Sequence, residues 1–171
     1  MKSGNYIILS PGLLLTILLS LGTSSCALRF SGAGETEYYT VSRVIDGDTF
    51  WIDDGSEKGT KVRLIGVDAP ETRRTRTKEV GFYAQESGDY LRDLIEGKKV
   101  RLEYDVDTLD LYGRTLAYVY TDRNLFVNAE LVKNGYAMVM TVPPNVKYAE
   151  RFVKLARKAR MKERGLWGEE K

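Results

Sequence analysis

Two short acid clusters, Asp46-Gly47-Asp48 and Asp68-Ala69-Pro70-Glu71, each stand where an apolar, strand-forming run stops. Between them Lys61-Val62-Arg63-Leu64-Ile65-Gly66-Val67 alternates with the two-residue period of a strand, so by parity Arg63 shares a face with Ile65 and Val67. A guanidinium on such a face requires an anionic partner. Acids at strand ends beside an inward-leaning arginine suggest a metal and phosphate site at the mouth of a small barrel. Taken singly the parts are bland. Acid-Gly-acid is common turn chemistry, Pro70 stops a strand, and Arg43 shares a face with Val41 and Ile45 by the same parity. Only their conjunction carries weight.

The elements that must position these groups follow from the same pattern. Tyr38 to Ile45 is rich in Tyr, Val and Thr and reads as a first strand, ending at a glycine-bearing turn. Thr49 to Asp53 reads as a second, and Asp53-Asp54-Gly55 opens a hairpin loop that closes near Thr60. After the third strand and a basic loop, Arg73-Arg74-Thr75-Arg76-Thr77-Lys78, helical spacing of Val80, Ala84, Ser87, Leu91, Leu94 and Ile95 predicts a helix over 80–96, closed by Gly97. Lys99 to Tyr104 alternates with Val100, Leu102 and Tyr104 inward and Arg101 at the surface. Arg114 follows Gly113 at the end of a loop and enters a strand, Thr115 to Tyr120. Val127 to Lys133 predicts a second helix with Asn134-Gly135 as its C-cap, and Tyr148, Phe152, Leu155 and Ala159 mark a third. Arg151, Lys154, Arg157, Lys158, Arg160, Lys162 and Arg164 surround that third helix; solvation and the helix dipole account for them, with a nucleic-acid contact as the lesser alternative. Leu166-Trp167 folds back as an apolar anchor. Five short strands with a helix after the third give an α+β pattern, a five-stranded OB-fold barrel carrying three helices.

Composition narrows the chemistry. The chain has 171 residues, a length that suits one domain, and a formal charge of only +2, so any nucleic-acid surface is local. There is no histidine and Cys26 is the single cysteine, which excludes Ser-His and Cys-His catalysis and an imidazole-thiolate zinc site within the chain. A metal here would be hard and oxygen-bound, calcium or magnesium, and a general base would be a carboxylate.

Residues 7–21 form an apolar run between Lys2 and the small residues Gly22 to Ser25, the layout of a secretory signal and too short for a membrane-spanning helix. Small residues leading into Cys26 resemble a lipoprotein cleavage site, although Thr23 stands where leucine is usual; Cys26 is either lipidated or incidental. The expected organisation is a signal segment over 1–26, a linker over 27–37 and a domain over 38–168 working outside the cytoplasm, secreted or lipid-anchored.

Val-Ile-Asp-Gly-Asp-Thr at 44–49, Arg-Leu-Ile-Gly-Val-Asp-Ala-Pro-Glu-Thr at 63–72 and Asp-Leu-Tyr-Gly-Arg-Thr-Leu-Ala-Tyr at 110–118 resemble, in order and spacing, the signature blocks of the staphylococcal nuclease family. The resemblance covers about residues 38–168 and agrees with the barrel pattern. It implies a calcium-dependent endonuclease acting on DNA and RNA and leaving 3'-phosphate ends; single strands are the expected substrate, and nothing in the sequence suggests more than a monomer. By the same resemblance Asp48, Asp68 and the backbone carbonyl of Ala69 ligate calcium, with Asp46 a secondary acid nearby. Glu71 orients or deprotonates the attacking water, Arg63 and Arg114 grip the phosphate, and Tyr112 lies beside it. These residues meet what phosphodiester hydrolysis requires: a deprotonated water and fixed positive charge that meets the anionic transition state. One departure stands out. Where the family carries a tyrosine pair against the nucleotide base, this chain reads Ala-Met-Val-Met-Thr-Val-Pro-Pro at 137–144, with only Tyr136 and Tyr148 near. Two rival readings remain: a nucleic-acid-binding OB module with weak or no catalysis, against which the complete set of acids and arginines argues, and an extracellular calcium-binding or envelope structural protein whose arginines merely pair with the acids, which inertness toward nucleic acid together with stabilisation by calcium would favour.

Overall fold

A computed structural model describes residues 37–71 and 81–168 of the chain. The signal segment, Cys26, most of the linker and the basic loop after Glu71 lie outside the described residues.

Five strands, β1 (Tyr39–Val44), β2 (Thr49–Asp53), β3 (Thr60–Leu64), β5 (Lys99–Glu103) and β6 (Thr115–Thr121), close into a barrel in the order β1-β2-β3-β6-β5. All neighbours are antiparallel except β3 and β6, which run parallel with Arg63 opposite Leu116. Three helices, α1 (Ala84–Ile95), α2 (Val127–Asn134) and α3 (Ala149–Met161), complete the predicted α+β barrel. Two further strands of two residues each, β4 (Val67–Asp68) and β7 (Met138–Val139), pair beside it. Alternation fills the barrel with Val41, Phe50, Ile52, Val62, Leu64, Val100 and Val119, and Leu91 and Ile95 of α1 join the same core. A second cluster, Ile65, Tyr118, Phe126, Ala129 and Phe152, lies under α2 and α3.

Several local expectations are corrected. The third strand does not run to Val67: it ends at Leu64, and Gly66 at φ 79° turns the chain into β4. A Cβ on Gly66 would also lie 2.6 Å from the Phe152 ring. A register shift between Val41 and Arg43 in β1 breaks the parity argument for Arg43, which is exposed, whereas Val44 is buried. Tyr104 falls beyond β5 and is exposed rather than inward. Arg101 is no ordinary surface residue, since its guanidinium lies 4.3 Å from the Tyr120 ring centroid.

The helix ends follow the expected chemistry. Gly97 and Gly135 take left-handed backbone after α1 and α2, while α1 begins at Ala84 rather than Val80, after a left-handed Tyr83. Leu166 folds back, donating its N–H to the Gly135 carbonyl at 2.8 Å. Asn128, buried on α2, accepts from the Val119 N–H at 2.9 Å and donates to the Ile65 carbonyl at 2.9 Å. It thereby ties the end of β3 to β6 at the place where the chain leaves the barrel after Leu64.

Candidate active site

Asp48 sits between β1 and β2, in the turn that closes the β1–β2 hairpin. Its N–H donates to Asp46 Oδ1 at 3.1 Å, an Asx turn of the kind acid-Gly-acid spacing supports. What demands glycine at 47 is space rather than backbone angle: an added Cβ would meet Ser87 Oγ at 2.1 Å and Ala69 Cβ at 2.6 Å. α1 and the second acid cluster thus close directly over the first. The Asp48 carboxylate is buried and fully engaged, with Oδ1 accepting from the Thr49 hydroxyl at 2.9 Å and Oδ2 from the Ala69 N–H at 2.7 Å. Oδ2 also lies 2.8 Å from Arg63 Nη1. Burial pushes this carboxyl up from its ordinary value, against the opposing pull of Arg63 and the Ala69 N–H.

Arg63, at 8% exposure, is the hub. Nη1 reaches Asp48 and donates to the Val67 carbonyl at 2.9 Å, and Nη2 donates to Asp68 Oδ1 at 3.0 Å. One guanidinium therefore bridges the acids of both clusters, in the charge-assisted geometry that its planar fork suits. The turn at Gly66 that interrupts the third strand is what lets Val67 and Asp68 curl back onto the arginine.

Arg114 is held by a different device. Asp110, four residues earlier, accepts from the Tyr112 N–H at 2.8 Å and the Arg114 N–H at 3.0 Å through Oδ1, and from Arg114 Nε at 2.6 Å through Oδ2. Burial raises the Asp110 carboxyl, but the hydrogen bonds from Arg114 and Tyr112 more than offset it and hold it below the ordinary carboxylate range. The Arg114 guanidinium lies 5.4 Å from the Tyr112 ring centroid, and Tyr112 itself projects into solvent.

Arg63, Tyr112 and Arg114 line one cleft of about 460 Å³, whose other walls include Leu116, Met140 and Val142. Asp68, Ala69 and Glu71 line a neighbouring hollow of about 470 Å³ with Phe82 and Met138. The Arg63–Asp68 ion pair joins the two. The candidates Arg63, Asp68, Ala69, Glu71, Tyr112 and Arg114 therefore line these two hollows, and Asp48 touches them through Arg63 and the Ala69 N–H, with Asp46 behind it in the Asx turn. Tyr136 and Tyr148 do not line the cleft. Tyr136 stacks between Tyr83 and Tyr90, with centroids 5.5 and 3.9 Å away. The Tyr148 hydroxyl donates to Glu103 at 2.8 Å. The motif reading missed Met140, Val142 and Leu116 as cleft residues, and Asp110 as the group that aims Arg114. Only Asp110 left a usable signal, a carboxylate four residues before an arginine across a glycine turn.

Among the described residues no group of three or more Asp, Glu, His or Cys side chains could hold a metal ion. A cation at this place would have two carboxylates, Asp48 and Asp68, with a backbone carbonyl and water. That all-oxygen set fits a hard divalent cation and no soft one.

A profile of the family described as "Staphylococcal nuclease homologue" matches residues 61–169. A protein of Staphylococcus hyicus named "Thermonuclease" is 39% identical over 88% of this chain and 90% of its own length. Another of that name from Staphylococcus intermedius is 42% identical over 77% of this chain and 76% of its own. "Endonuclease YncB" of Bacillus subtilis (strain 168) is 37% identical over 75% of this chain and 60% of its own.

Proposed function

The chain belongs to the staphylococcal nuclease family, and from that premise we propose that it is a calcium-dependent endonuclease hydrolysing the phosphodiester bonds of DNA and RNA to leave 3'-phosphate ends. That it is a nucleic-acid-hydrolysing enzyme rests on its thermonuclease and endonuclease relatives. The finer reading is carried by one observation: Arg63 bridges Asp48 and Asp68 while lining the same cleft as Arg114.

In this reading Arg63 and Arg114 bind the scissile phosphate from the cleft side, each pre-aimed by a carboxylate, so that their donors are in place before charge builds up in the transition state. Glu71, in the hollow across the Arg63–Asp68 pair, takes the proton of the attacking water or orients it. Asp48, Asp68 and the Ala69 carbonyl hold the calcium ion, which when bound supplies charge neutralisation at the phosphate and a more acidic water. Asp46 supports this pair through the Asx turn. Tyr112 borders the phosphate, and Met140 and Val142 offer the nucleobase an apolar wall in place of aromatic stacking. Single strands fit such a cleft better than a stiff duplex, and one barrel suffices, so a monomer is the working unit. Residues 1–26 serve as export signal, with Cys26 either a lipidation point or incidental to signal cleavage, 27–37 as linker and 38–168 as the extracytoplasmic enzyme domain.

Cleavage of a single-stranded DNA oligonucleotide, with calcium or with chelator, tests this, together with phosphatase sensitivity of the new 3' ends. Calcium-dependent cleavage with phosphatase-sensitive ends is expected. Undiminished cleavage in chelator would remove calcium from the account, and no cleavage with calcium would leave a binding module.

A further inference from the structure

The charge of the chain is unevenly placed. Lys147 to Arg164 contains eight bases and two acids, leaving 18 bases and 22 acids for everything else. Within that segment Arg151, Lys154 and Lys158 recur at spacings of three and four, which sets them in one row along α3, and Lys147 stands two residues before the helix. These four bases and Glu150 border a shallow groove of about 400 Å³ that Leu155 also lines. Like charges at these spacings destabilise a helix by about 0.2 to 0.5 kcal/mol per pair, so the row is not explained by helix stability. Its counter-charges are sparse. Lys147 pairs with Glu103 at 2.8 Å, and Lys154 lies 4.0 Å from Glu150, both of these last two well exposed. Arg151 lies over the Phe126 ring at 5.0 Å, a contact that orients the guanidinium and leaves its charge in place.

The position of the row is as informative as its sign. Pro143, Pro144 and Asn145 line the cleft that holds Arg63 and Arg114, and Lys147 follows two residues later. The cleft wall therefore runs directly into the start of the row. From Arg151 to Lys158 the helix advances about 10 Å, the reach of about three phosphates at a per-strand spacing of about 3.4 Å.

We propose that this face of α3 is an accessory track for nucleic acid, binding through phosphates the part of a single strand that extends out of the cleft. The track reads no sequence; it raises affinity for long substrates and makes that affinity salt-dependent. This inference rests on the nuclease reading for the identity of the strand, and its test is chosen to be independent of turnover.

The experiment is fluorescence anisotropy of labelled single-stranded oligonucleotides of about four nucleotides, the lower end of an OB-fold's site size, and of about thirty, well beyond its upper end, with the protein in chelator. The parent is compared with Lys154→Glu/Lys158→Glu, two exposed positions outside the cleft. The track predicts that the pair weakens binding of the long oligonucleotide about tenfold or more and lowers its log–log salt slope by about one to two, while the short one binds unchanged. Circular dichroism melting establishes that the variant folds, and Lys154→Gln/Lys158→Gln gives a milder test of the same effect. Equal loss for both lengths, or no loss for either, would overturn the track. A variant that keeps its oligonucleotide affinity but loses binding to phosphatidylglycerol vesicles would overturn it in favour of a lipid surface. Loss of cleavage in all forms would count against the nuclease reading alone, because the binding measurement needs no turnover.

Discussion

At the scale of single residues, the arrangement turns on Arg63 and the two acids it joins. Asp48 is buried, and the Arg63 guanidinium at 2.8 Å is the partner that opposes its desolvation. Arg63→Met should therefore cost stability as well as activity, by about 3 to 5 kcal/mol, because a buried carboxylate is left uncompensated. Urea denaturation checks this. Arg63→Lys keeps the charge but cannot span Asp48 and Asp68 together, so it should retain more stability than Arg63→Met and still lose about 10²-fold or more in turnover. Much of this was legible in the sequence. The acid clusters could be named from strand ends, Arg63 from strand parity, and Tyr112 and Arg114 from their place in the ordered blocks that resemble the family. The route by which Arg63 reaches its acids could not. Strand parity carried the third strand through Ile65 to Val67, whereas Gly66 turns it away, and it is that turn which presents the Val67 carbonyl and Asp68 to the guanidinium. Likewise Gly47 looked like a turn residue, and its actual constraint, contact with Ser87 and Ala69, depends on elements distant in the chain.

Elements carry the next set of expectations. The loop from Leu109 to Arg114 is organised by Asp110, whose carboxyl is held below its ordinary 3.8. A carboxyl depressed in the folded state contributes stability above its unfolded value and loses it as pH falls through the folded one. Asp110→Asn should then be less stable than the parent at neutral pH, with the gap closing in acid, as urea midpoints measured across pH would show. At pH 7 the same change should lower turnover more than it alters folding, since it frees Arg114 from its 2.6 Å anchor. Gly47→Ala should destabilise by about 1 to 3 kcal/mol, since its Cβ would force α1 away from the acid clusters. The element order was readable because strands and helices here have clear periods. β4 and β7 were not, since two-residue strands have no period to detect; they appear only when the chain after Gly66 meets the segment after Ala137.

On the scale of the whole molecule, a nearly neutral chain has separated its charge into a basic helix and a more acidic remainder. Composition alone concealed this, whereas helical spacing already gathered the bases around the third helix, and the structure adds the groove that four of them border. Calcium that binds the folded site and not the unfolded chain should raise the melting temperature, and the gain should vanish in chelator. The central claim is that Glu71 performs the proton chemistry of a site whose arginines bind phosphate. Single-turnover cleavage of single-stranded DNA by the parent and by Glu71→Gln, with oligonucleotide affinity measured on the same samples, tests it most directly. The account predicts a loss of about 10² to 10⁴-fold in rate with affinity preserved. A Glu71→Gln protein that cleaves at the parent rate would contradict it.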